Sequence, residues 1–179
     1  LPFGTTNGDN KGQDRVNYIR GDRTKEADKT GGTFRIRKSR QGDIVNSAIW
    51  YVGYPANGYT DTSYESFSTA NRGRLPMLYV GGNDGMLHGF TASKGEENLA
   101  YVPRGVIPKL PLLTAPAYNA GHQYFVDGSP MTGDVDMNGG MQDPKAGGYD
   151  DDVPDWRTLL VGTLGLGGKG YFVLDVANP

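Results

Sequence analysis

An all-β, turn-rich fold is predicted by three observations. Gly 28 and Pro 11 together make over a fifth of the 179 residues, a density that long helices do not tolerate and short strands joined by tight turns do. Apolar, strand-favouring runs alternate with glycine turns, most clearly where Met77-Leu-Tyr-Val80 and Met86–Ala92 flank Gly81-Gly-Asn-Asp-Gly85. The same pattern then returns later in the chain.

The opening hairpin carries its own turn chemistry, because Asn83-Asp84-Gly85 tolerates positive φ at low cost. A second polar turn, Ser93–Glu96, leads into Asn98–Val102, so three short strands form a meander. The turn at 83–85 is read as reversal geometry rather than as a ligand site.

Length and composition bound the rest. A chain of 179 residues buries one substantial core. It has no cysteine, so disulfides and cysteine-held metals are excluded and the compartment is left open. No apolar run approaches the roughly 18 residues that span a bilayer. No signal peptide is visible and the chain begins at Leu1, so it is expected to be a piece of something longer. The net charge of −2 hides an asymmetry: residues 1–40 hold 10 Lys+Arg against 5 Asp+Glu, and the remainder is acidic. A basic arm for an acidic partner and a solvated, partly disordered lead-in both fit. Interspersed Asp14, Asp22, Glu26 and Asp28, with Tyr18 the one stacking aromatic, favour the lead-in and argue against nucleic acid.

In chain order, Asp14–Arg20 forms a short helix closed by Gly21, and Thr33–Lys38 alternates apolar and basic residues as a half-exposed strand does. Gly42–Gly53 holds the next strand, or two short strands kinked at Asn46-Ser47, and Ser63–Asn71 a short helix with Tyr64 and Phe67 on one face. Prolines 103, 108, 111 and 116 limit the segment 103–116 to one helical turn, pinned by Val106, Ile107, Leu110, Leu112 and Leu113. Gln123–Val126, Gly128–Val135, Arg157–Val161 and Tyr171–Val176 read as strands, and 137–155 as a long Gly- and Asp-rich loop.

An internal repeat organises these strands. Leu78-Tyr-Val-Gly81 returns as Leu159-Leu-Val-Gly162 at an offset of 81, and Phe90-Thr-Ala92 as Leu174-Asp-Val176 at 84, with three extra residues in the second turn. The strand ahead of each hairpin repeats at 82. A small-residue strand, a strand ending in Val-Gly, a glycine hairpin and an apolar return strand make a propeller blade. The expected architecture is therefore a partial β-propeller at 33–179, with blade units at about 42–102 and 124–179, after a polar lead-in at 1–32.

Arg15–Arg23, Gly42–Ser47, Pro76–Phe90, Ala100–Pro103, Tyr124–Pro130 and Trp156–Val176 fall in order, and together they resemble the C-terminal β-propeller of the PilY/PilC family of type IV pilus biogenesis and tip adhesin proteins. The resemblance implies a non-enzymatic module at the bacterial cell surface or pilus tip, reached through the periplasm and outer membrane. It implies partnership with minor pilins and with a host or abiotic surface, in support of pilus extension, adhesion and twitching. The loop 137–155 is longer than the family's, and the family's calcium loop lies beyond the stretch matched here.

Among candidate sites, Asp134, Asp136 and Asn138 followed by Gly139 match the start of an EF-hand calcium loop, with oxygen ligands at positions 1, 3 and 5 and glycine at 6. Lys145 stands where the bidentate Glu belongs, so Asp143 would substitute, beside Asp150, Asp151, Asp152 and Asp155. A solvated acidic insertion is the competing reading. Gly165–Lys169 is not a phosphate cradle, because Gly170 follows the lysine and a strand, not a helix, comes next. His88 and His122 show no catalytic or metal-ligand spacing. Trp50, Tyr51, Tyr54, Tyr59 and Tyr64 are expected to pack in the core and between blades. Two further functions compete: a quinoprotein-like propeller dehydrogenase, which would need a stacking platform for pyrroloquinoline quinone from Trp50 and Trp156, and a purely structural propeller domain.

Overall fold

The computed structural model describes residues 9–138 and 154–179. Two antiparallel sheets dominate it. The first orders its strands β1 (Trp50–Val52), β2 (Met77–Gly81), β3 (Leu87–Thr91) and β4 (Glu97–Tyr101); the second orders β5 (Met131–Asp136), β6 (Trp156–Thr163) and β7 (Tyr171–Asp175). Each sheet is a meander, as the glycine turns predict. The strands are shorter than expected ahead of each hairpin: within 42–53 only Trp50–Val52 pairs, and 123–126 is not a strand.

The repeat is real, and its register corrects the alignment by one residue. Gly81 pairs with Leu87 in the first hairpin and Gly162 with Phe172 in the second, so the return strand is offset by 85 and the second turn is four residues longer. Both hairpins put an aromatic ring over a cross-strand glycine, Tyr79 on Gly89 and Phe172 on Gly162. A Cβ on Gly162 would meet the Phe172 ring at 2.2 Å. Gly85 holds φ at 94°, which completes the turn, and a Cβ there would meet Leu110 at 2.3 Å.

Two helices accompany the sheets: α1 (Gly12–Ile19) and α2 (Thr62–Ala70), the latter capped by Asp61 accepting from Ser63 N–H. The proline segment forms an 11-residue 3₁₀ helix, Arg104–Thr114, rather than one turn. Proline's fixed φ suits 3₁₀ geometry, and Pro108 and Pro111 remove only two donors from it. Val106, Leu110 and Leu113 enter the core as predicted, whereas Ile107 is only half-buried and Leu112 is exposed, because the 3₁₀ repeat turns them outward.

One hydrophobic core runs through both sheets, from Tyr18 and Phe34 to Phe172 and Val176. The lead-in therefore differs from its expectation. Glu26 is fully buried and pairs with Arg37 at 2.8 Å and Arg23 at 3.1 Å. Arg37 also donates to the carbonyls of Tyr18 and Asp22 and lies 3.6 Å over the Tyr18 ring. Residues 33–38 are not a strand but a chain crossing with a single bridge, Glu26 to Phe34. Phe34 is buried as the alternation predicts, but the pattern breaks after it: Arg37 is buried and Ile36 is 53% exposed, because Glu26 supplies the charge that lets arginine go inside.

Candidate functional site

Asp134 projects from β5 onto the inner face of its sheet and is 4% exposed. Its carboxylate accepts from the Tyr64 hydroxyl at 2.7 Å, the Asn57 amide at 2.9 Å and the Thr158 hydroxyl at 2.6 Å. Thr158 in turn accepts from Arg74, whose other nitrogens reach the Gly53 carbonyl. One carboxylate thus ties β5, β6, α2 and the end of β1 together. Burial, and then the adjoining Asp134 charge, push the Tyr64 hydroxyl up to about 12, so it stays a donor at any physiological pH. Burial alone lowers the Arg74 guanidinium from its ordinary value.

Aromatic rings wall this cluster. Trp156 packs on Tyr59, Tyr64 and Phe67 with centroids 5.4, 4.9 and 6.4 Å away, and its indole N–H donates to Ser63. The predicted aromatic packing is thus correct for Tyr64, which is buried, and holds in part for Tyr59, which packs on Tyr64 and Trp156 but stays half exposed; Trp50 is exposed, and only its indole N–H reaches across to Thr132 of β5. Tyr51 and Tyr54 instead face solvent, 60% and 57% exposed.

Among the described residues, the other candidate calcium ligands are Asp136 and Asn138. Asp136, at the end of β5, accepts from the backbone of Asn138 and Asp155 through one oxygen. Asp143 and Asp150–Asp152 lie outside the described residues. Among the described residues, no group of three acidic or histidine side chains comes together in a metal-holding cluster.

A second polar cluster surrounds the turn at 82–85. Asn83 is 2% exposed; it binds Asp43 through its side-chain amide and accepts from Phe125 N–H. Asp84 accepts from Gly42 N–H at 2.5 Å and from Met86 N–H at 3.3 Å. The turn therefore reverses the chain and also fastens the irregular segments at 42–43 and 125 that run ahead of the sheets. The repeat is stitched at equivalent positions: Asn46 donates twice to Asp127, and Ala48 N–H to Ser129.

His88 is the residue that spacing missed. It is 3% exposed and lies between two carboxylates, with Nδ1 2.6 Å from a Glu97 oxygen and Nε2 3.0 Å from an Asp84 oxygen. Burial alone would lower its pKa, but Asp84 and Glu97 outweigh burial and raise it above the ordinary value. Asp84 and His88 stand four apart across a tight turn, and Glu97 opens the adjacent strand; that spacing was the available signal. His122 is exposed and pairs with Asp43 at 3.0 Å, far in role from His88. Both clusters hold a proton or a strand in place, and their polar atoms are consumed by the fold.

Antiparallel blade-like sheets repeated in register, with a polar turn locking each to the next, define a β-propeller domain. A family model described as the PilY1 beta-propeller domain matches residues 41–179, and the chain belongs to that family. It is 45% identical over 172 residues to a type IV pilus biogenesis factor PilY1 homolog of Xylella fastidiosa, covering 92% of this chain and 13% of that protein. It is 42% identical over 179 residues to the type IV pilus biogenesis factor PilY1 of Pseudomonas aeruginosa strain PAK, covering 96% and 14%. The chain thus spans about one-seventh of the length of these relatives. The crystal structure of the P. aeruginosa PilY1 C-terminal domain is 36% identical, with a TM-score of 0.47 over 72% of this chain and 22% of that one.

Proposed function

We propose that this chain is part of a non-enzymatic type IV pilus assembly and adhesion module. In this reading it acts at the pilus tip on the bacterial surface, reached through the periplasm and outer membrane. There it works with minor pilins, contacts host or abiotic surfaces and supports twitching. The observation that carries the proposal is the family match over residues 41–179. The polar chemistry supports it, since Asp84, Asp127 and Asp134 are spent on joining segments far apart in the chain, as a scaffold requires. The proposal extends to calcium held through Asp136, Asn138 and Asp143, with Asp134 supporting the strand beneath.

The quinoprotein reading is less favoured because Trp156, one of its two stacking candidates, has its ring covered by Tyr59, Tyr64 and Phe67. The test is genetic. The parent gene is deleted in the bacterium that carries it and restored with wild type or with Asp127→Ala, and sheared surface pili and twitching zones are measured. Loss on deletion, rescue by wild type and poor rescue by the variant are expected. Normal pili and twitching in the deletion strain would overturn the proposal.

A further inference from the structure

The basic segment ahead of residue 41 also shapes a surface cleft. The cleft is about 480 Å³, within the ordinary range of ligand pockets, and lies between residues 35–43 and the turn carrying Tyr118 and His122. Its floor is apolar, with Tyr18 and Leu113 buried beneath it. Its rim is cationic. Arg35 lies 4.6 Å over the Tyr118 ring and donates to the Leu113 carbonyl and the Asn119 side chain, which fixes its guanidinium without neutralising it. Lys38 and Arg40 are exposed on the same rim, and neither has a carboxylate partner among the described residues. The two acids on the rim are already engaged, Asp43 by His122 and Asn83, and Asp84 by His88.

The backbone adds a second, independent feature. Residues 38–41 make no backbone hydrogen bond within the described residues, so a short run of N–H and C=O groups is open to solvent beside three cations. Open backbone and fixed positive charge around an apolar floor suit an extended chain that carries carboxylates. We infer that this cleft docks an acidic, extended peptide segment of a partner protein, with Arg35, Lys38 and Arg40 taking its carboxylates and the backbone of 38–41 pairing with its main chain. This names a partner chemistry for the assembly role proposed above and rests on that reading; binding in solution and piliation in cells are scored separately, so either can fail alone.

The test uses the chain with a fluorescein-labelled dodecapeptide alternating aspartate and serine, and its counterpart with asparagine in place of aspartate. Fluorescence anisotropy should show saturable binding of the first, weakened about tenfold or more as salt rises from about 50 to about 500 mM, and none of the second. The double variant Lys38→Glu, Arg40→Glu should abolish binding while keeping the wild-type circular dichroism, and Lys94→Glu, on a turn outside the cleft, should leave it intact. Lys38→Ala with Arg40→Gln should weaken it about tenfold, which keeps the test sound if charge reversal disturbs the fold. Three results would overturn the inference: no binding, equal binding of the asparagine peptide, or full displacement by inorganic phosphate at concentrations similar to the peptide's, which would mark a small-anion pocket only.

Discussion

The chemistry open to Asp134 turns on which way a strand residue points. Oxygen-bearing residues at 134, 136 and 138 suit a calcium loop, and they equally suit a strand whose alternate residues face inward. The structure puts Asp134 inside, where three donors converge on it. Asp134→Ala leaves the Tyr64 hydroxyl, the Asn57 amide and the Thr158 hydroxyl without that acceptor in a buried site. The expected loss of stability is about 2–4 kcal/mol, read as a lower urea midpoint at unchanged slope. Calcium is tested separately: titration calorimetry should lose its heat in Asp136→Asn and Asp143→Asn at unchanged urea midpoints. Wild type giving no heat would sink the calcium proposal without touching the structural role of Asp134. Asp134 was legible in the sequence as important and misleading as to why, because its partner Tyr64 lies 70 residues away on another element.

At the scale of elements, the first hairpin and β4 are held by one proton-bearing ring. His88 faces Asp84 from the turn and Glu97 from β4, and Arg40 and Gln41 line the same small cavity. A histidine whose pKa is raised in the folded protein contributes stability fully present below its ordinary value near 6.5, and that contribution is lost as pH rises through the folded value. Wild type should therefore lose stability from about pH 6.5 upward relative to His88→Asn, measured by urea denaturation across that range; parallel profiles would refute the assignment. The hairpins themselves were legible because glycine turns and strand runs are local signals. The return strand's register was not, since a turn longer by four residues shifts every pairing and only hydrogen bonds between strands reveal it. The proline segment was misjudged because proline forbids a long α-helix without forbidding a 3₁₀ one.

For the whole molecule, the question is where the folding unit starts. The family match begins at residue 41, and sequence composition set 1–32 apart as a polar lead-in. The structure instead runs one core through Tyr18 and Phe34 into both sheets, with α1 against the 3₁₀ helix and the Arg35 amide donating to the Thr114 carbonyl. Composition could not show this, because the anchor is a buried ion pair: five acids scattered among ten basic residues look solvated until Glu26 is seen at 0% exposure between Arg23 and Arg37. Burial works against the Glu26 charge, but Arg37 and Arg23 outweigh it and hold the carboxyl below its ordinary range. Replacing Glu26 by Gln takes from buried Arg37 the one carboxylate it pairs with directly among the described residues, which costs about 3–5 kcal/mol when one partner of a buried pair is removed. If residues 9–40 belong to the same cooperative unit, Glu26→Gln should lower the single unfolding transition of the whole chain by that amount. A chain starting at Gln41 should show a similar or larger loss together with new binding of a hydrophobic dye over the uncovered Leu113 and Tyr118. Two separate transitions, with the later one unmoved by Glu26→Gln, would instead make the basic segment an appendage whose cleft forms and melts independently of the propeller.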